Sequence, residues 1–105
     1  MIKFIGQKQL IPFENIEIGT VEEVLDYFKD KISIGLDLET KGKCPLTKPI
    51  LSMQLGDANT QFVIDVRSVD ILLFKDLIES KTIIGHNLKF DYQFLKKSGI
   101  LINKL

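Results

Sequence analysis

Two pairs of residues have the type and spacing to do chemistry. Asp37 and Glu39 sit at alternate positions of Ile32-Ser33-Ile34-Gly35-Leu36-Asp37-Leu38-Glu39. On an extended strand such side chains leave the same face, about 7 Å apart at a rise of ~3.3 Å per residue. Two carboxylates at that distance can hold one hard cation; Mg²⁺ prefers oxygen ligands and usually takes one or two carboxylates from the protein. The same pair also reads simply as the solvent side of a half-exposed strand. Asn87 and Asp91 form the second pair, one turn apart on one face of the helix expected over residues 87–98. Taken alone, they read equally as a polar helix face with Asn87 as its N-cap.

The elements that must position these pairs are legible from periodicity. Residues 2–11 read as an extended segment, bending near Gly6 as in a hairpin and ended by Pro12. Thr20-Val21-Glu22-Glu23 has the form of a capping box. The helix it opens carries Val21, Val24, Leu25 and Phe28 on one stripe, with Lys29 and Lys31 suiting its C-terminal dipole. In the strand 32–39, Ile32, Ile34, Leu36 and Leu38 are expected on one face and Ser33, Gly35, Asp37 and Glu39 on the other. A Lys-, Gly- and Pro-rich loop spans Thr40 to Pro49. Residues 50–56 and 61–66 read as a hairpin joined by Asp57-Ala58-Asn59-Thr60. Ser68 or Asp70 caps a helix with Leu73, Phe74, Leu77 and Ile78 at the helical period. Thr82–Gly85 is a short apolar strand. The helix from Asn87 to Ser98 stops at Gly99, and Ile100-Leu101-Ile102 starts another strand. Hairpin strands followed by alternating helices and strands predict an α/β domain with a mixed sheet and flanking helices.

Bulk properties narrow the class. A chain of 105 residues suffices for one small domain. With 45% apolar and 27% charged residues it has a globular composition. No apolar run approaches the ~20 residues that cross a bilayer. The single cysteine, Cys44, has no internal partner, so a cytoplasmic (intracellular) setting is expected. A formal net charge of zero argues against a protein that coats nucleic acid through bulk charge. It leaves room for local contacts, and Lys41, Lys43 and Lys48 cluster just past the acidic pair.

Together, the pairs carry a resemblance. Gly35-Leu36-Asp37-Leu38-Glu39-Thr40, followed by Ile84-Gly85-His86-Asn87-Leu88-Lys89-Phe90-Asp91, resembles the first two motifs of the DEDD-superfamily 3′–5′ exonucleases. The Asn-Leu-Lys-Phe-Asp form is similar to that in the proofreading domains of polymerase I-type (family A) DNA polymerases. The resemblance runs from about residue 30 to the end, hairpin included, and implies a ribonuclease H-like fold. It further implies that Asp37 bridges two divalent ions (Mg²⁺ or Mn²⁺), that Glu39 binds one and positions the attacking water, and that Asp91 holds a metal-bound water. Asn87, Lys89 and the backbone around Thr40 would meet the 3′ end of a single DNA strand. The reaction would be in-line displacement at the terminal phosphodiester, with the second ion stabilising the leaving 3′ oxygen.

The family's third motif pairs a Tyr or His with a fourth Asp, and no acid follows Asp91 in this chain. The expectation is therefore the amino-terminal portion of an exonuclease domain, residues 1–105, C-terminally incomplete and inactive alone. A polymerase domain or a second chain would supply the missing motif, and an open apolar strand at the sheet edge would favour self-association. The rival reading is a non-catalytic binding or assembly module of the same fold in a replication complex. An RNA-trimming exonuclease of the superfamily is not separated from the DNA enzyme by these motifs. Elsewhere, His86 and Cys44 read as incidental, Phe90 and Tyr92 as core, and the lysine loop as solvated or phosphate-tracking.

Overall fold

The computed structural model describes residues 1–6 and 16–105. Strand β1 (Ile2–Ile5) and the short β2 (Glu17–Ile18) precede helix α1 (Val21–Phe28). Strands β3 (Ser33–Thr40), β4 (Ile50–Gly56) and β5 (Gln61–Asp65) follow, then a 3-10 turn (Ile71–Phe74) running into α2 (Lys75–Ser80). Strand β6 (Thr82–Ile84) leads to α3 (Leu88–Ser98). The strands form one sheet in the order β2-β1-β5-β4-β3-β6. β3, β4 and β5 form an antiparallel meander, while β6 pairs parallel with β3 and β1 parallel with β5.

Alternation decides which face of the sheet folds the protein. Ile34, Leu36 and Leu38 of β3 are buried with Met53 and Leu55 of β4, Phe62 and Ile64 of β5, and Ile5 of β1. Val24 and Phe28 of α1 join this cluster, as do Phe74, Leu77 and Ile78 around α2. Thr20 caps α1, its Oγ1 accepting the Glu23 N–H at 3.2 Å. The Glu23 carboxylate takes Lys3 Nζ at 2.6 Å, tying the helix to β1. Tyr27 fastens α1 to the β4–β5 turn by donating its hydroxyl to the Asp57 carboxylate at 2.8 and 3.0 Å. That hydroxyl, the Asn59 and Thr60 amides and Lys31 hold Asp57 down at about 2, against the opposing effect of burial.

Several expectations need correction. Ile32 is 84% exposed, because pairing with β6 begins at Ser33 and Ile32 lies in the bend before it. Leu73 is also exposed, since Asp70 caps a 3-10 turn, accepting from the Leu72 N–H at 3.0 Å, and the tighter winding rotates Leu73 outward. Strand β2, parallel to β1, was not expected at all. The extended segment over 2–11 holds for Ile2–Ile5; its remainder, with Pro12, falls outside the described residues. Ile100–Ile102 is not a strand. Gly99, at φ 99°, ends α3, and the N–H groups of Gly99 and Ile100 turn back to Lys96 and Leu95 carbonyls. The Leu101 N–H goes to Glu79 Oε2 at 3.0 Å. With those amides committed, sheet pairing reappears only at Lys104, whose carbonyl accepts the Ile83 N–H at 2.8 Å.

The junction between β6 and α3 depends on a close approach at Gly85. A Cβ there would stand 2.6 Å from the Leu36 carbonyl oxygen and 2.7 Å from Leu88 Cδ2. Backbone cannot yield as a flexible side chain can, so Gly85→Ala is expected to destabilise the fold by about 1–3 kcal/mol. Thermal unfolding followed by circular dichroism measures this, and an unchanged midpoint would contradict the packing described.

Candidate active site

The face of the sheet opposite the core carries the acids. Across β3 and β4, Asp37 lies directly opposite Gln54, Glu39 opposite Ser52 and Gly35 opposite Gly56. Asp37 and Glu39 are exposed, and Asp37 Oδ1 accepts the Leu38 N–H at 3.0 Å. The register shifts between Glu39 and Thr40: Thr40 pairs with Ile50, which leaves Leu51 of β4 as the extra residue of a bulge. Thr40 Oγ1 then donates to the Gly42 carbonyl at 2.6 Å, which ties down the start of the loop.

Helix α3 brings the third acid. Asn87 occupies its N-cap position in the left-handed region, φ 55° and ψ 45°, and its side chain makes no capping hydrogen bond. Asn tolerates this conformation better than most residues. Asn87 and Lys89 are exposed, whereas Asp91 is only 3% exposed. Asp91 Oδ2 is buried with no hydrogen-bond partner. Burial, then the charges of Asp37 and Glu39, push the Asp91 carboxyl up to about 6, with only the Leu38 N–H opposing. The contrast is Asp65, equally buried. There burial works upward, but Arg67, through side chain and backbone N–H, and Ser68 hold the carboxyl below its ordinary range.

Asp37, Glu39 and Asp91 therefore share one electrostatic neighbourhood. Among the described residues, no three Asp, Glu, His or Cys side chains already stand at the spacing of a closed metal cluster. The two observations differ in range: charges are felt over several ångströms, while ligation requires contact near 2 Å. The donor set fits a hard divalent cation, since it is all oxygen, carries excess negative charge and includes one buried oxygen with no donor.

Other candidates stand as follows. His86 and Cys44 are exposed. Lys41, Lys43 and Lys48 are exposed on a loop closed by the Lys41 N–H to the Pro49 carbonyl at 3.1 Å. Phe90 packs edge-on against Phe94, 5.1 Å between centroids, and joins the core; Tyr92 is half-buried. Sequence reasoning missed Ser52 and Gln54. The signal was present in the alternation of β4, but using it required the cross-strand register.

A mixed sheet with an acidic pair on an inner strand, a parallel edge strand beside it and a third acid on the following helix defines a ribonuclease H-like domain of the DEDD nuclease type. A family profile described as 3′–5′ exonuclease matches residues 17–105, and the chain belongs to that family. DNA polymerase I of Aquifex aeolicus (strain VF5) is 41% identical over 66 residues, covering 62% of this chain and 11% of that protein. The catalytic core of RRP6 from Trypanosoma brucei superposes with a TM-score of 0.74 at 16% identity, over 99% of this chain and 28% of that one. NrnC of Brucella melitensis gives 0.66 at 21% identity, over 96% and 46%. Escherichia coli RNase D, an exoribonuclease involved in structured RNA processing, gives 0.63 at 17% identity, over 88% and 23%. At these identities the structural likeness is one of fold. No helix among the described residues is long and apolar enough to cross a membrane.

The raised Asp91 carboxyl has a consequence for stability. Between the unfolded value of 3.8 and the folded value of about 6, the folded protein holds a proton that the unfolded chain has released. Stability contributed by this group is therefore present at low pH and lost as pH rises through that window. In metal-free buffer, Asp91→Asn is expected to be more stable than wild type at pH 7.5, by roughly 1–3 kcal/mol. The difference should shrink toward zero near pH 4. Thermal melts at both pH values measure it; a variant less stable than wild type at pH 7.5 would count against the unpaired buried charge.

Proposed function

We propose that residues 1–105 form the amino-terminal portion of a divalent-metal-dependent 3′–5′ exonuclease domain that trims single-stranded DNA 3′ ends in proofreading. The observation that carries this reading is Asp91: buried, its Oδ2 without a partner, and in the field of Asp37 and Glu39. Family membership supports it, and the likeness to a DNA polymerase I favours DNA over RNA. A structure of NrnC holds Mg²⁺, and oxygen donors of this kind suit Mg²⁺ or Mn²⁺.

Asp37, Glu39 and Asp91 would hold the metal. When bound, it supplies positive charge against the phosphodiester as negative charge builds on the attacked phosphate and leaving oxygen. The chain's own residues orient the strand. Asn87, whose side chain is not spent on capping its helix, meets the terminal nucleotide. Lys89, exposed two residues before the buried acid, pairs with a phosphate. The backbone at Thr40, the last residue of β3, presents its polar groups to the 3′ end.

Residues 92–105 contain no acid, so the fourth carboxylate and the Tyr or His of the third motif would come from another segment, in a polymerase-bearing polypeptide or a second chain. The 105-residue chain is expected to show little exonuclease activity, because removing one electrostatic contributor commonly costs a hundredfold or more in rate. It is expected to bind Mn²⁺ weakly, and Asp37→Ala to lose that binding. Titration calorimetry, together with degradation of 3′-labelled DNA and RNA oligonucleotides in Mn²⁺, tests both points. Equal metal binding by wild type and Asp37→Ala would overturn the site. Robust trimming by wild type, abolished in Asp37→Ala, would keep the site and overturn the account of the missing acid. Preference for RNA would overturn the assigned substrate.

A further inference from the structure

We propose that Gln54 is a further residue of the carboxylate site, a positioning residue that orients Asp37 through its side-chain amide; the inference rests on the metal-dependent reading above. Gln54 lies on β4 directly opposite Asp37, and Ser52 lies directly opposite Glu39. Directly opposed residues share a sheet face with Cβ atoms ~4.5–5.5 Å apart, within reach of a glutamine amide. Gln54 Nε2 donates to Ser52 Oγ at 2.9 Å, and its Oε1 is buried with no partner. The other buried, unpartnered side-chain atom among the described residues is Asp91 Oδ2. Both unmet acceptors thus belong to residues that neighbour Asp37.

A buried acceptor without a donor is destabilising, so the amide is expected to take the orientation that meets it. The Ser52 hydroxyl can give or take a hydrogen bond, so the contact accommodates either sense of the Gln54 amide. With the amide turned over, Oε1 takes the Ser52 hydroxyl hydrogen. Nε2 then takes the place of the buried Oε1, with a hydrogen for the Asp37 carboxylate, whose Oδ1 is already held by the Leu38 N–H at 3.0 Å. A donor beside two carboxylates is favoured over an acceptor there, and Asp37 becomes gripped from two sides. Glu39 keeps its freedom, because Ser52 is occupied by Gln54. Groups that orient a ligating carboxylate in this way are commonly worth 10–100-fold in metal affinity.

The test uses the full chain with Gln54→Leu, the length-matched Gln54→Met, and Asp37→Ala, measuring Mn²⁺ binding by calorimetry and thermal midpoints of the metal-free proteins. Both Gln54 variants are expected to keep a cooperative fold while binding Mn²⁺ 10–100-fold more weakly. A purely structural role predicts lowered melting with affinity retained. Unchanged affinity in folded Gln54 variants, with binding lost in Asp37→Ala, would overturn the role of Gln54 and leave the metal site standing. Loss of the fold in both variants would also overturn it, by placing Gln54 in the scaffold. Failure of the wild type itself to bind Mn²⁺ would overturn both proposals.

Discussion

The arrangement turns on one unfavourable act, the burial of the Asp91 carboxyl against two other acids. Desolvation disfavours its charge, and Asp37 and Glu39 disfavour it again. Asp65 shows that this fold can bury the same side chain at ease, given Arg67 and Ser68. No such partners surround Asp91 Oδ2. An acid held in this state is what the metal-dependent reading proposed above calls for, positive charge supplied from outside.

Those ordered elements can be traced back from Asp91. It is held by the first turn of α3, and α3 starts where the chain turns sharply through Gly85, His86 and Asn87. Gly85 lets that turn press against the Leu36 carbonyl, and the left-handed Asn87 redirects the backbone into the helix. β6 is only three residues long and pairs with β3 over Ser33–Gly35. The edge of β3 beyond Gly35 is thereby left to α3, which places Asp91 beside Leu38 rather than above the sheet. The far end of α3 is secured separately, by the double turn-back at Gly99 and by Ile100 buried in the core.

Much of this was readable before any coordinates. The two-residue period of β3, the hairpin over residues 50–65, the Thr20 cap and the Gly99 stop depend on local rules, and each formed within a residue or two of its expected place. What escaped depends on partners distant in sequence. β2 has two residues and exists because β1 offers an edge. Ile100–Ile102 looks like a strand locally, yet helix-end geometry and Glu79 claim its amides first. Ile32 continues the apolar alternation but lies outside the pairing that would bury it. Within the site, the residue types of Asp37, Glu39, Asn87 and Asp91 were visible as two separate pairs. That Asp91 would be buried and the other two acids exposed was not, because that difference arises from sheet order.

The division of labour between the two faces of β3 explains how so short a chain can carry a costly site. Every second residue of β3 goes to the core, and Ile34, Leu36 and Leu38 have almost no exposed surface. Gly35, Asp37 and Glu39, on the other face, contribute little to that core and are free to be chosen for chemistry. A slip of one residue in pairing would bury both acids and expose the aliphatic residues, so burial itself enforces the register that sets Asp37 opposite Gln54 and Glu39 opposite Ser52. The bulge lies on the neighbouring strand, at Leu51 of β4, so the alternation of β3 runs unbroken through Glu39. Hydrophobic burial on one side of the strand thus fixes the geometry of repelling charges on the other, and their repulsion is tolerated because the force that positions them acts elsewhere.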